Sequence, residues 1–133
     1  MIATLLAVLA SQAVPDVAPA VTRLVGRCAY SDAVARFRQE ALLAVCDALV
    51  IAGTDDVVTF DFGQRDWGSM LRFTGAMSGQ RLTINRLQSR AGGWVAATGS
   101  CEIFHHGEKI STVSCLAKAG SKTYAANFVP SRL

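Results

Sequence analysis

The chain has 133 residues, 51% of them apolar, 17% charged and 8% aromatic, which sets it apart from disordered, collagen-like and coiled-coil compositions and fits a single domain. Thirteen Lys and Arg against ten Asp and Glu give a formal charge of +3. The basic residues stand singly rather than in runs, so no polybasic stripe argues for nucleic acid.

Residues 1–10, MIATLLAVLA, are almost unbroken apolar. They fall short of the roughly 20 residues that span a bilayer but match a secretory h-region, and Ser11-Gln12-Ala13 places small residues at −3 and −1 of a cleavage site. This predicts a signal peptide over 1–13, cut after Ala13, and a periplasmic or secreted chain that is not transmembrane once cut. The n-region has no Lys or Arg, so cleavage after Ala10, retention as an anchor, or an apolar element of the domain stay open. Residues 14–23 (VPDVAPAVTR) read as an extended, Pro-containing lead-in, and 24–133 as one disulfide-stapled domain.

Four cysteines, Cys28, Cys46, Cys101 and Cys115, form an even set in a small exported chain, which favours two disulfides. Their spacings of 18, 55 and 14 contain no C-x₂₋₄-C knuckle for zinc. Of the three connectivities, the local one, Cys28–Cys46 with Cys101–Cys115, is preferred.

Ser31-Asp32 before AVARFRQEALLA has the form of a helix N-cap, with Val34, Phe37, Ala41 and Leu42 on one side and Arg36, Gln39 and Glu40 on the other. A Cys28–Cys46 bridge limits this helix. Run through to Cys46, it would carry that residue roughly 22 Å from Ser31, while the chain from Cys28 to Ser31 reaches only about 10 Å. The helix is therefore expected to stop near Ala41–Leu43.

From Cys46 onward short runs alternate with turn residues. CDALVIA and VVTFDF form a hairpin about Gly53-Thr54-Asp55-Asp56. The turn at Gln64-Arg65-Asp66-Trp67 pairs Phe62 with Ser69, Phe60 with Leu71 and Val58 with Phe73, and that at Ala76-Met77-Ser78-Gly79 pairs Phe73 with Leu82 and Leu71 with Ile84. After a loop at Ala91-Gly92-Gly93 comes WVAATGSCEIF, whose Ala96, Ala97 and Gly99 suggest a bend or close backbone approach. His105-His106-Gly107-Glu108-Lys109 turns it so that Ile103 faces Val113, Cys101 faces Cys115 and Glu102 faces Ser114, the cross-strand neighbourhood a disulfide needs. A Gly120-Ser121 turn sets Tyr124, Ala126 and Phe128 beside Ala117, Cys115 and Val113, and the last strand ends at Pro130.

The expected architecture is α+β: one N-terminal helix on an antiparallel meander of about seven strands, curled strongly or partly closed into a barrel. Its apolar face comprises Val58, Phe60, Phe62, Leu71, Phe73, Leu82, Ile84, Ile103, Val113 and Phe128. The helix face of Val34, Phe37 and Leu42 is expected to cover it.

The stretch from Thr98 to Val129, with its C-x-I-F, I-S-x-V-x-C and A-N-F elements, resembles the C-terminal half of small exported alphaproteobacterial proteins. The departure is a weak match before Cys46. The resemblance implies export and a hairpin disulfide, and carries over no catalytic residue or cofactor.

His105 and His106, with Glu108 nearby, are the weak candidates for a copper- or zinc-like site, but adjacent strand residues point to opposite faces, so a solvated turn is the better reading. No Ser lies in a G-x-S-x-G elbow. Asp61 beside Arg72 reads as a surface ion pair, and Asp55-Asp56 as turn chemistry without a calcium loop. Trp67 and Trp94 flank turns, and with Arg65, Arg90 and Gln64 they form the candidate contact surface. The expected function is a non-enzymatic binding or inhibitor-like module for a protein or envelope component. The alternatives are a carrier enclosing an apolar ligand and a metal-assisted hydrolase using His105 or His106.

Overall fold

The computed structural model describes residues 20–36 and 40–131. The expected signal peptide, the lead-in before Ala20, and Phe37 and Gln39 of the expected helix lie outside these residues. In chain order the elements are β1 (Ala20–Cys28), α1 (Asp32–Ala35), β2 (Ala41–Leu43), β3 (Ala48–Thr54), β4 (Val57–Gln64), β5 (Gly68–Ser78), β6 (Arg81–Ser89), β7 (Trp94–His106), β8 (Lys109–Ala119) and β9 (Lys122–Pro130).

Strands β3 to β9 form an antiparallel meander, and β1 pairs with β3 on one side and β9 on the other, closing a ring of eight strands. Closure removes the exposed edges that a seven-strand open sheet would carry. The antiparallel meander and its tendency to close are as expected, but the barrel closes fully and carries almost no helix, so the α+β expectation of a helix-covered sheet is corrected to a closed β-barrel. The first barrel strand begins at Ala20, inside the segment read as a lead-in. Ser31 does cap a helix, its Oγ accepting from the Val34 amide at 3.3 Å, but the helix is one turn long. Ala41–Leu43 instead pairs in parallel with Thr123–Ala125 of β9. Val34 and Leu42, expected to cover the core, are 42% and 41% exposed.

The core is the barrel's own interior. Phe60, Phe62, Phe73 and Phe128 are fully buried there with Leu49, Leu71, Leu82, Leu87 and Val113, and the Phe62 and Phe73 rings meet edge to face at 6.0 Å. Of the expected apolar face only Ile103 is partly exposed. The outer wall carries polar Asp61, Arg72, Arg86, Ser100, Ser114 and Lys118 together with exposed Val25, Phe104 and Leu116. No helix among the described residues is long and apolar enough to cross a membrane.

Both disulfides form as expected, Cys28–Cys46 and Cys101–Cys115. The β7–β8–β9 register is the expected one, with Cys101 opposite Cys115, Ile103 opposite Val113 and Ala126 opposite Cys115. Further upstream the register differs. Phe62 faces Leu71 and Phe60 faces Phe73, a slip of two residues that keeps each side chain on its face. Phe73 faces Leu87, not Leu82, because β5 runs on to Ser78 and turns through Gly79-Gln80 alone. Asn85 is the extra residue of a bulge, so Ile84 and Leu87, three apart, both point inward.

The closing seam is built locally. β9 lends one edge to both β2 and β1, and the amides of Ala29 and Ala44 continue the ladder to the Asn127 and Ala125 carbonyls, each at 2.9 Å. Asn127 donates from Nδ2 to the Ala29 carbonyl at 2.8 Å and accepts from Ser114 Oγ. Gly26 permits a close approach at the seam: a Cβ there would lie 2.1 Å from the Val129 oxygen. At Gly99 a Cβ would lie 2.0 Å from the Leu116 oxygen, the close approach expected there.

Tyr30 locks the seam by donating its hydroxyl to the Ala44 carbonyl at 2.5 Å. Burial pushes its phenol from 10.0 up to about 12, against the opposing pull of backbone hydrogen bonds at Asn127 and Ala44. The fold thus favours the neutral phenol. Its contribution is fully present below pH 10.0 and is lost as pH rises through about 12. A Tyr30→Phe variant is expected to lose stability less steeply than wild type over this range. Thermal melts at a series of alkaline pH values check this, and parallel curves for the two proteins would contradict it.

Candidate recognition site at one end of the barrel

Alternate connections of a meander share an end, so the β4–β5 and β6–β7 turns lie together with the β1–β3 connection, while the β7–β8 turn lies at the other end. The first turn is rigidly held. The Trp67 amide donates to the Gln64 carbonyl at 2.9 Å. The Arg65 amide donates to Asp47 Oδ1 at 2.8 Å and its Nε to Asp47 Oδ2 at 3.4 Å, tying the turn to the chain just before β3.

Trp67 is 67% exposed, and its ring lies 4.7 Å from the Arg90 guanidinium of the β6–β7 turn. Arg90 also donates from Nη1 to Met70 Sδ at 3.5 Å. Two residues from separate turns are thereby joined in one fixed pair. Arg65 lies in the Trp67 turn but is engaged by Asp47, and Gln64 supplies the carbonyl that closes that turn. Trp94 stands apart from the pair: it opens β7 opposite Gln88, with Arg86 at 5.1 Å over its ring, on the outer wall.

That wall carries a row of directly opposed residues across six strands: Arg23, Val50, Asp61, Arg72, Gln88 and Trp94. Ser69 Oγ donates to Asp61 Oδ2 at 2.8 Å, and Arg72 donates from Nε to Ser69 Oγ at 3.1 Å and from Nη1 to Gln88 Oε1 at 3.4 Å. Arg72 Nε lies 3.4 Å from Asp61 Oδ2, the expected ion pair. Asp61 Oδ1 is buried with no hydrogen-bond partner among the described residues. Beside this network a polar groove of about 240 Å³ is lined by Ser69, Met70, Arg72, Gln88, Ser89 and Arg90.

Of the expected contact residues Trp67, Trp94, Arg65, Arg90 and Gln64, Trp67 and Arg90 come together in a stack. The groove residues Arg72, Gln88, Ser69 and Met70 were missed as site residues, although their signal, the row of opposed polar side chains, is present once the register is right. A larger groove, of about 490 Å³, lies on the outer face of β7–β9 between Tyr30, Val34, Phe104 and Leu116. His105, His106 and Glu108 are exposed at the far end, and no group of three or more His, Cys, Asp or Glu among the described residues is placed to hold a metal ion. Comparison with protein-family models, with curated proteins and with solved structures finds no match for the chain.

Proposed function

We propose that the protein is an exported binding module, inhibitor-like in form, that recognises a protein or envelope component through its β4–β5 and β6–β7 turns. The observation that carries this reading is Trp67: an exposed indole held in place by Arg90 at 4.7 Å, on the end of a barrel whose interior is filled. A pre-ordered aromatic–Arg pair surrenders little side-chain freedom on binding, and Trp and Arg dominate binding hot spots. Two disulfides suit an oxidising setting such as the periplasm or the exterior. An apolar-ligand carrier would need space where Phe60, Phe62, Phe73 and Phe128 stand.

A photo-crosslinking residue in place of Asp66, beside Trp67, tests the reading in cells that export the protein. Discrete adducts are expected from position 66, and Trp67→Ala in the same chain should weaken capture by roughly 30-fold, the effect of losing one hot-spot residue. Equal adducts from a crosslinker at Thr98 on the β7 wall, or adducts indifferent to Trp67→Ala, would overturn it.

A further inference from the structure

We infer that the groove between Arg72 and Arg90 receives a single carboxylate presented by the partner, an acidic side chain of a protein. The inference rests on the proposed reading of this end of the barrel as a recognition surface and adds the chemistry of what it recognises.

Three observations carry it. First, the groove has unspent donors. Arg90 gives Nη1 to the Met70 sulfur, a weak acceptor, and has no carboxylate within 4.0 Å among the described residues. Arg72 uses Nε and Nη1 on Ser69, Asp61 and Gln88, and among the described residues Nη2 donates to none. A guanidinium edge is built for the two oxygens of a carboxylate.

Second, both arginines are positioned before any ligand arrives. Arg90 is fixed by the Trp67 ring and Arg72 by Ser69 and Gln88, so less side-chain freedom remains to be lost on binding. The hydroxyl of Ser89 lines the same groove and adds a neutral donor, while the Ser69 proton is committed to Asp61.

Third, the local charge selects the anion. Arg72 and Arg90 bring two positive charges, and Asp61, in contact with Arg72, brings one negative. The remaining single positive charge matches a carboxylate, whereas a phosphate dianion would place a second, uncompensated charge near Asp61. The exposed Trp67 ring at the rim offers apolar contact to the rest of an acidic peptide, which free phosphate could not use.

The test uses ¹⁵N-labelled full chain and three probes at equal ionic strength: the capped peptide acetyl-Gly-Glu-Gly-amide, its Gln counterpart and inorganic phosphate. The readout is the Nε–H cross-peaks of Arg72 and Arg90 and the indole N–H of Trp67. Saturable shifts at these three groups are expected with the Glu peptide and not with the Gln peptide, with phosphate weaker. Arg90→Gln should weaken the Glu peptide about tenfold, as loss of a charged hydrogen-bonding partner does, while Arg81→Gln, at the other end of the barrel, leaves it unchanged. No saturable shift, equal binding of phosphate, or parallel shifts at Arg81 would overturn the inference. If the peptide fails while crosslinking from position 66 persists, the carboxylate assignment falls and the recognition surface stands. If the peptide binds but position 66 captures nothing, the groove is a small-anion site only, and both the surface reading and the inference fall.

Discussion

Phe73→Ala is expected to lower stability by about 3–5 kcal/mol, the range for deleting a fully buried aromatic ring. Phe73 is 0% exposed, stands opposite Phe60 on β4 and Leu87 on β6, and holds the edge-to-face contact with Phe62. The loss therefore combines transfer of the ring, the cavity left behind and an aromatic pair. Because both neighbouring strands, β4 and β6, contribute to its surroundings, the barrel wall cannot collapse into the gap by moving one side chain. Urea unfolding should show the midpoint falling with little change in slope. Phe104→Ala, on an exposed ring of the outer wall, should change the unfolding free energy by no more than about 0.5 kcal/mol. A Phe73→Ala loss below about 1 kcal/mol would mean that the barrel axis is loosely filled, and would reopen the carrier reading.

The second large effect lies at the seam. Removing both Cys28 and Cys46, each replaced by Ala, is expected to destabilise the protein by about 3 kcal/mol through the freed 18-residue loop. Cys28 and Cys46 are also joined by a backbone hydrogen bond of 2.9 Å, and β1 meets β9 over only Gly26, Arg27 and Cys28. The bridge thus holds the segment that carries Tyr30 and β2 against β9. Hydrogen exchange should accelerate at the amides of Cys28, Ala29 and Ala44 before it does so in β4–β6. Uniform acceleration across the barrel would contradict the assignment of this bridge to closure.

How far the fold could be read from the chain differs sharply from one element to another. The β7–β9 register was legible because Cys101 and Cys115 must oppose one another and the short Gly107 and Gly120 turns leave few other registers. β1 was not, because its inward positions are Leu24, Gly26 and Cys28. Gly26 adds no apolar side chain to the alternation and is required for the close approach to Val129 that closes the barrel. The helix was overextended for a different reason. The Ser31 cap is a local signal and forms, whereas Ala41–Leu43 is taken by β9, a tertiary pairing that periodicity does not reveal.

The site followed the same division. Trp67 and Arg90 were visible as turn residues, but nothing in their spacing of 23 positions shows that the two turns meet. The Arg72–Gln88–Trp94 row was hidden by the register of β5 on β6. In the expected pairing Arg72 faces Thr83, and only the two-residue turn at Gly79-Gln80 with the bulge at Asn85 brings Gln88 opposite it. A slip that leaves Phe60, Phe62, Leu71 and Phe73 on their proper face still scrambles which residues touch, and a binding groove depends on the latter.

The most direct test of the central claim is amide hydrogen exchange of the wild-type protein, alone and with the component captured through position 66. Recognition through this end of a filled barrel predicts new protection confined to residues 64–70 and 88–94, with the strand interiors unchanged. Protection confined to the β7–β9 wall, or altered exchange through the interior strands with the turns unaffected, would contradict it.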